Sequence, residues 1–280
     1  MDKPGNGLGL RTLLAFLLLS FGLSWGAMGL YFGIPGAAEL LGAVSNHHPL
    51  FILAVHAPAI SAFALILWHG GPEGLRRFLL RVLLWRAGAG WWAFLLLGVP
   101  LVYALGAALG GNPFRPDLPH LPALVGAMLF MLVLGPVEEF GWRGFALPIL
   151  QRSLAPLWAA LGIGVVWGLW RLPASSMSGA VQSSWSFLPF FAGSVALSVL
   201  MTALVNDAKG ILLLPVLLQF QLNSPLWPDA QPYDNALFAA LALVVVLVRR
   251  DRMLSRSNAV TEVMPSAPGI SSTWAKRPAT

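Results

Sequence analysis

Three ionisable side chains stand where the sequence is otherwise apolar. Glu138, Glu139 and Arg143 lie within a long apolar run from about Leu121 to Leu150. A charge at bilayer depth costs a few kcal/mol even on lenient insertion scales, so such groups are paired, turned inward or functional. Glu139 and Arg143 are four residues apart and share a helix face, with the acid on the N-terminal side. This spacing predicts a structural salt bridge.

Glu138 is rotated by about 100° from its neighbour on the same helix. It has no obvious partner within that helix, which leaves its carboxylate free for acid–base chemistry. The alternative is that Glu138, Glu139 and Arg143 all pair with other helices or line a polar cavity.

The composition requires the elements around these groups to be membrane helices. The chain has 280 residues, of which 57% are hydrophobic and only 10% are charged. We expect an all-α, polytopic membrane helix bundle, because a helix satisfies its own backbone hydrogen bonds in lipid. The alternating pattern of a membrane β-barrel is not seen. With no cysteine in the chain, disulfides and thiolate metal sites are excluded.

About eight transmembrane spans follow from the apolar segments. The first, preceded by Lys3 and Arg11, is interpreted as an uncleaved anchor, because its apolar core is too long for a signal peptide. The predicted spans are Leu13–Phe32, Leu50–Trp68, Trp91–Leu109, the helix of the Glu-Glu motif, Leu157–Leu172, Phe187–Val205, Ile211–Asn223 and Ala236–Val248.

The distribution of positive charge predicts the orientation of these spans. With the N-terminus in the cytoplasm, the outer loops hold only Arg115, and Arg143 and Arg171 lie within spans. The excess on inner segments predicts a bacterial-type plasma (inner) membrane protein with both termini cytoplasmic. Because the basic residues flank apolar segments, the net charge of +6 does not indicate nucleic acid. The inner segments hold Lys3, Arg11, Arg76, Arg77, Arg81, Arg86, Arg152, Lys209, Arg249, Arg250, Arg252, Arg256, Lys276 and Arg277.

Two segments outside the predicted spans differ from them in composition, one being basic and amphipathic and the other polar. Residues 74–86 place arginines among leucines and aromatics, which fits an interfacial amphipathic helix whose Arg76–Arg86 stretch contacts anionic lipid headgroups. The alternative is a purely topological block of positive charge. Residues 255–280 are polar and rich in Ser, Pro and Ala, so we expect a disordered cytoplasmic tail after a transmembrane bundle of residues 1–254.

Two further spans carry polar side chains at helical spacing. Trp167 and Arg171 share a face near the outer end of the fifth span, where Arg171 either extends to the outer interface or pairs with Glu138 or Glu139. In the seventh span, Gln219 and Asn223 lie four residues apart. They serve either helix–helix hydrogen bonding or function. The five histidines show no metal-ligand spacing.

Together these residues resemble the CAAX-protease and bacteriocin-processing family of intramembrane proteases. The family's Glu-Glu-x-x-x-Arg motif is met by Glu138, Glu139 and Arg143. Its second motif, an aromatic residue three positions before a histidine, is met by Trp167, with Arg171 at the histidine position. Its third motif, a histidine three positions before Asn or Asp, has Gln219 for the histidine and a matching Asn223. The resemblance covers a core of residues 121–223.

The resemblance implies that Glu138 activates water for peptide-bond hydrolysis and that the residues of the third motif stabilise the oxyanion. Asn223 is then an oxyanion donor, and Gln219 keeps the donor half of a histidine's role. Arg171 stays protonated and cannot accept a proton. The family is often labelled metal-dependent, but with both motif histidines replaced we expect no cofactor and no zinc.

The leading functional prediction is an intramembrane endopeptidase acting on a membrane-embedded or prenylated-type peptide. The second is a catalytically impaired relative that binds or chaperones a membrane peptide in the same cavity. A transporter or channel is disfavoured, because the first three spans and the eighth offer little polarity for a continuous path.

Overall fold

The computed structural model describes residues 8–42, 44–112, 120–177 and 181–265. Within these ranges the regular elements are helices and short helical turns, with no extended strand. This confirms the predicted all-α bundle. The main helices are α1 (Leu10–Gly33), α2 (Pro49–Leu79), α3 (Ala89–Leu109), α4 (Leu121–Leu134), α5 (Pro156–Trp170), α6 (Phe187–Asp207), α7 (Leu213–Leu222) and α8 (Tyr233–Val248).

Among the described residues, five helical segments are long and apolar enough to cross a membrane. They contain α1, α2, α3, α5 and α6, which establishes a multi-pass membrane protein. The remaining three, α4, α7 and α8, are apolar but shorter, at 10–17 residues. A helix lies at each predicted span, although a count of eight membrane crossings stays a prediction.

The run from Leu121 to Leu150 is not one helix. Helix α4 ends at Leu134, and the chain turns through Gly135-Pro136-Val137 before helical structure resumes at Glu138. Pro136 ends α4 because a proline has no N–H for the helical hydrogen bond and clashes with the preceding turn. At 1.5 Å per residue α4 is about 20 Å long, which is shorter than a hydrocarbon core of about 30 Å.

After the break, the helix widens. Phe140–Ala146 is a π-helical stretch, followed by one α-helical turn, Leu147–Leu150. We call Glu138–Leu150 the motif helix. Its residues from Gly141 to Ile149 are all buried. Gly141 is packed so closely on α2 that an added Cβ would lie 2.6 Å from the carbonyl oxygen of Pro58.

Glycine contacts at Gly164 and Gly168 also bring α5 and α6 together. An added Cβ at Gly164 would lie 2.8 Å from Cα of Val195, and one at Gly168 would lie 2.7 Å from the ring of Phe191. This close packing fixes Trp167 and Arg171, at the C-terminal end of α5, against α6.

The amphipathic segment differs from its prediction as a headgroup-binding helix. Its helical part continues α2 beyond an interruption at Gly71, which has φ +61°. Arg76 is exposed, but Arg81 is only 2% exposed and faces the protein interior. The Arg81 guanidinium donates hydrogen bonds of 2.8, 2.9 and 3.1 Å to the backbone carbonyls of Gly210, Gly144 and Val263. Arg81 therefore ties α2 to the motif helix and does not contact lipid.

The first part of the predicted disordered tail, residues 255–265, has a defined position in the structure. Residues 255–265 are placed against the helices, with Val263 fully buried. The side-chain amide of Gln151 donates a 2.9 Å hydrogen bond to the carbonyl of Val260. These contacts are made by backbone and apolar groups, which a Ser/Pro/Ala-rich composition does not reveal. The rest of the predicted tail, residues 266–280, lies outside the described residues.

Topology is testable because the chain has no cysteine of its own. We expect a cysteine replacing the exposed Arg86 to react with a membrane-impermeant maleimide only after cells are permeabilised. A cysteine replacing the exposed Glu39 should react in intact cells, since the positive-inside distribution places it outside. Labelling of position 86 in intact cells would contradict the orientation.

Candidate functional site

Three helix segments bring the predicted site residues together. The motif helix supplies Glu138 and Glu139 in its first turn, directly after the break at Pro136. This places both carboxylates at a helix N-terminus, whose partial positive charge favours anions. Helix α5 ends beside Glu138 with Trp167 and Arg171, and α7 adds polar side chains from the third side.

Glu138 is fully buried, with both carboxylate oxygens engaged. Its Oε1 accepts a hydrogen bond of 2.6 Å from Nη2 of Arg171 and another of 2.6 Å from Nε2 of Gln219. Its Oε2 accepts a 3.0 Å hydrogen bond from the indole Nε1 of Trp167. The structure therefore supports the reading of Arg171 as a partner of Glu138 and not as a side chain reaching the interface.

Glu139 and Arg143 form the salt bridge that their spacing predicts. Nη1 of Arg143 lies 3.1 Å from Oε1 of Glu139, and both side chains are fully buried. The guanidinium also stacks on the ring of Trp167, with 4.4 Å from Cζ to the ring centroid. Arg171 approaches the same ring at 5.1 Å. Two carboxylates and two guanidiniums thus surround one indole, and their formal charges cancel.

Asn223 lies at the edge of this cluster. Its Nδ2 donates a 2.8 Å hydrogen bond to the backbone carbonyl of Gln219. It also lies against the break in the membrane helix, where a Cβ added to Gly135 would be 2.8 Å from Nδ2. Asn223 therefore occupies space that exists because position 135 has no side chain. It makes no hydrogen bond to Glu138 in the described structure.

A cavity of about 370 Å³ adjoins these residues. This volume is within the range of about 300–1,000 Å³ that is typical of ligand pockets. Trp167, Arg171, Gln219 and Asn223 all line it. Glu138 is not among the described residues that line it, so its three hydrogen-bond donors face the cavity in its place.

A metal ion does not fit this cluster. In the described ranges, no group of three His, Cys, Asp or Glu side chains is placed to hold one. Glu138 and Glu139 are each paired with a guanidinium, whereas a zinc site needs three or four His, Cys or carboxylate ligands. The expectation of a protein without zinc stays a prediction.

The structure brings all six predicted site residues into one cluster around Glu138. The donor role of Trp167 was not predicted, because helical spacing does not show which way an indole N–H points. Gly135 was not predicted either, because its importance depends on the approach of Asn223 from α7. The dipeptide Gly135-Pro136 indicates a helix break, and this signal could have identified the position from the sequence.

Comparisons with known proteins agree with this geometry. Residues 120–224 match the family model "Type II CAAX prenyl endopeptidase Rce1-like". CAAX prenyl protease 2 from Methanococcus maripaludis is 24% identical over 137 residues, which is 47% of this chain. The match spans about half of the curated relative, 51% of its length.

The matched region contains the motif helix, α5, α6 and α7, which carry every residue of the cluster. The resemblance rests on the order of these helices and on the spacing of the three motifs within this region. Residues 120–224 of this chain are therefore similar to the CAAX-protease and bacteriocin-processing family of intramembrane proteases.

Proposed function

We propose that this chain is an intramembrane endopeptidase that hydrolyses a peptide bond in the 370 Å³ cavity, with Glu138 activating the attacking water. The observation that carries the proposal is the buried Glu138 carboxylate, fixed beside the cavity by donors from α5 and α7. A carboxylate offers about four acceptor positions, and three are used here. The fourth can accept a proton from water.

Each neighbour of Glu138 has a role in this chemistry. Water attacks the scissile carbonyl while its proton passes to Glu138, which then returns a proton to the leaving amine. Arg171 stays charged, so it orients the carboxylate and stabilises negative charge on the tetrahedral intermediate. Asn223 uses one N–H of its amide on Gln219, which leaves the other for the oxyanion. Glu139 and Arg143 hold the motif helix in place.

A second function is favoured by one observation. The donors Arg171, Gln219 and Trp167 line the cavity, whereas Glu138 does not. A guanidinium and an amide, standing where the family has histidines, then close the carboxylate off from a ligand in the cavity. In that case the chain binds or chaperones a membrane peptide without cleaving it.

The remaining parts of the proposal concern partners and location. The substrate is a membrane-embedded or prenylated-type peptide. The protein lies in a bacterial-type plasma membrane with both termini cytoplasmic, which the distribution of lysine and arginine supports. Anionic headgroups are proposed to bind the exposed members of the Arg76–Arg86 stretch, not the buried Arg81.

The test is cleavage of a peptide tethered covalently to the protein in the same bilayer, which gives a high effective concentration even for a weak substrate. We expect cleavage by the wild type and its loss in Glu138→Gln. Glu73→Gln, which removes an exposed carboxylate outside the cluster, is the matched control and should cleave normally. Equal cleavage by wild type and Glu138→Gln would contradict the proposed mechanism.

A further inference from the structure

Two carboxylates occupy the part of the cavity wall away from the Glu138 cluster. Asp234, in the first turn of α8, is only 5% exposed, and Asp229 is exposed in the preceding loop. Both line the cavity. Gln231 holds them together, because its backbone N–H donates to Asp229 at 3.1 Å and its side-chain amide donates to Asp234 at 3.2 Å.

Neither carboxylate has a cationic partner within the described part of the chain. Arg171 is the single cation among the described lining residues, and its charge is already balanced by Glu138 at 2.6 Å. The cavity wall therefore carries an uncompensated negative charge at Asp229 and Asp234. Asp234 is the buried member of the two, and a buried charge is stable when it is paired, so its carboxylate calls for a cation from outside the chain.

Aromatic rings surround the same region. Tyr103 stacks on Trp227 at a centroid distance of 6.1 Å and meets the ring of Phe238 edge-on at 6.2 Å. All three rings line the cavity. A neighbouring residue of α3, Gly106, lies directly against Asp234, since an added Cβ there would be 3.1 Å from its backbone nitrogen. Aromatic faces attract cations and cover the apolar stem of a long basic side chain.

A buried acceptor atom in the cavity wall also indicates a ligand that carries a hydrogen-bond donor. Oε1 of Gln219 is buried and has no hydrogen-bond partner in the described structure, although Gln219 is only 1% exposed and lines the cavity. A buried acceptor without a donor is costly. An N–H group of a bound peptide would satisfy it.

We propose that the cavity binds a peptide segment with a basic side chain, whose ammonium or guanidinium group pairs with Asp229 and Asp234 while a backbone N–H donates to Oε1 of Gln219. The inference rests on the proposed function for the presence of a peptide, and it adds the substrate class. A lysine or arginine side chain fits this wall, because its apolar stem can lie against the aromatic rings while its charged group reaches the carboxylates.

The test is a binding measurement that needs no cleavage. The probe is a fluorescent apolar peptide with one lysine towards its outer end, compared with the same peptide carrying norleucine there. Binding is measured by anisotropy with the wild-type protein in detergent micelles, which keeps Glu138 as the counter-charge of Arg171, and gel analysis confirms that the probe stays intact. We expect the lysine peptide to bind at least about tenfold more tightly, as charge-assisted hydrogen bonds predict.

Variants of the protein locate the effect. Asp234→Asn keeps an oxygen acceptor for the N–H of Asn235, and both it and Asp229→Asn should lose most of the preference for lysine. Glu39→Gln removes an exposed carboxylate that does not line the cavity, so it should keep the preference. If Asp234→Asn does not fold, the peptide pair and Asp229→Asn still decide the outcome.

Two results would overturn the inference. One is equal binding of the lysine and norleucine peptides, and the other is a lysine preference that persists in Asp229→Asn and Asp234→Asn. Equal cleavage of both peptides by the wild type would likewise remove the basic subsite and leave the proposed hydrolysis standing. Lysine-selective binding without cleavage would keep the subsite and remove the hydrolysis.

Discussion

Replacing Glu139 with glutamine is expected to destabilise the protein by about 3–5 kcal/mol, the usual cost of removing one partner from a buried ion pair. Arg143 is fully buried and its Nη1 bonds to Glu139, while its Nε and Nη2 have no other hydrogen-bond partner among the described residues. The substitution therefore leaves a guanidinium in the protein interior without a counter-charge. The measurement is the free energy of unfolding in detergent, together with the yield of monodisperse protein.

Glu138→Gln is the matched control, since it makes the same chemical change at the adjacent position. Arg171, its cationic partner, is 16% exposed and lines the cavity, so water can solvate the guanidinium when the carboxylate is gone. We expect the smaller loss of stability for Glu138→Gln. Equal losses for the two substitutions would refute the division of the pair into a structural and a reactive glutamate.

The double change Arg171→His with Gln219→His is expected to raise peptidase activity over the wild type by about 10²–10⁴-fold, the usual range for a positioned general acid–base group. A histidine at either position can accept and donate a proton at neutral pH, whereas a guanidinium cannot accept one. Both positions lie within hydrogen-bond distance of Glu138, at 2.6 Å each. Initial rates of cleavage of the tethered peptide are the measurement.

Gln219→His alone is the control for this experiment, because it leaves the guanidinium on Glu138 and should give only a small change. A double variant that folds but cleaves no faster than the wild type would contradict the idea that Arg171 limits the chemistry. Loss of folding in the double variant would instead show that Arg171 has become an integral partner of Glu138.

The sequence predicted the features that depend on composition and on short spacing. Apolar segments of sufficient length identified the helices, and the four-residue spacing of Glu139 and Arg143 predicted a salt bridge that is present at 3.1 Å. The sequence left two interpretations of Arg171, a side chain that reaches the membrane interface or a partner of Glu138. Only the packing of α5 against α6 decides between them, because it fixes the position of the C-terminal end of α5.

Other features depend on tertiary contacts that spacing does not encode. Arg81 belongs to a basic, leucine-rich segment typical of a lipid interface, yet it donates to three backbone carbonyls inside the protein. Val263 is buried although it belongs to a Ser/Pro/Ala-rich segment, because Arg81 and Gln151 donate hydrogen bonds to backbone carbonyls of that segment. The acidic wall of the cavity combines Asp229 of the loop before α8 and Asp234 of α8 with the ring of Tyr103 on α3, which is distant in sequence.

The most direct measurement of the central claim is cleavage of the tethered peptide in water enriched in heavy oxygen. If Glu138 activates water, the new carboxyl terminus made by the wild type carries one heavy oxygen atom, as mass spectrometry of the fragments would show. Glu138→Gln, which folds but lacks the base, should leave the peptide intact. Intact peptide with the wild type, bound in a manner that depends on Asn223, would contradict hydrolysis and identify a peptide-binding protein.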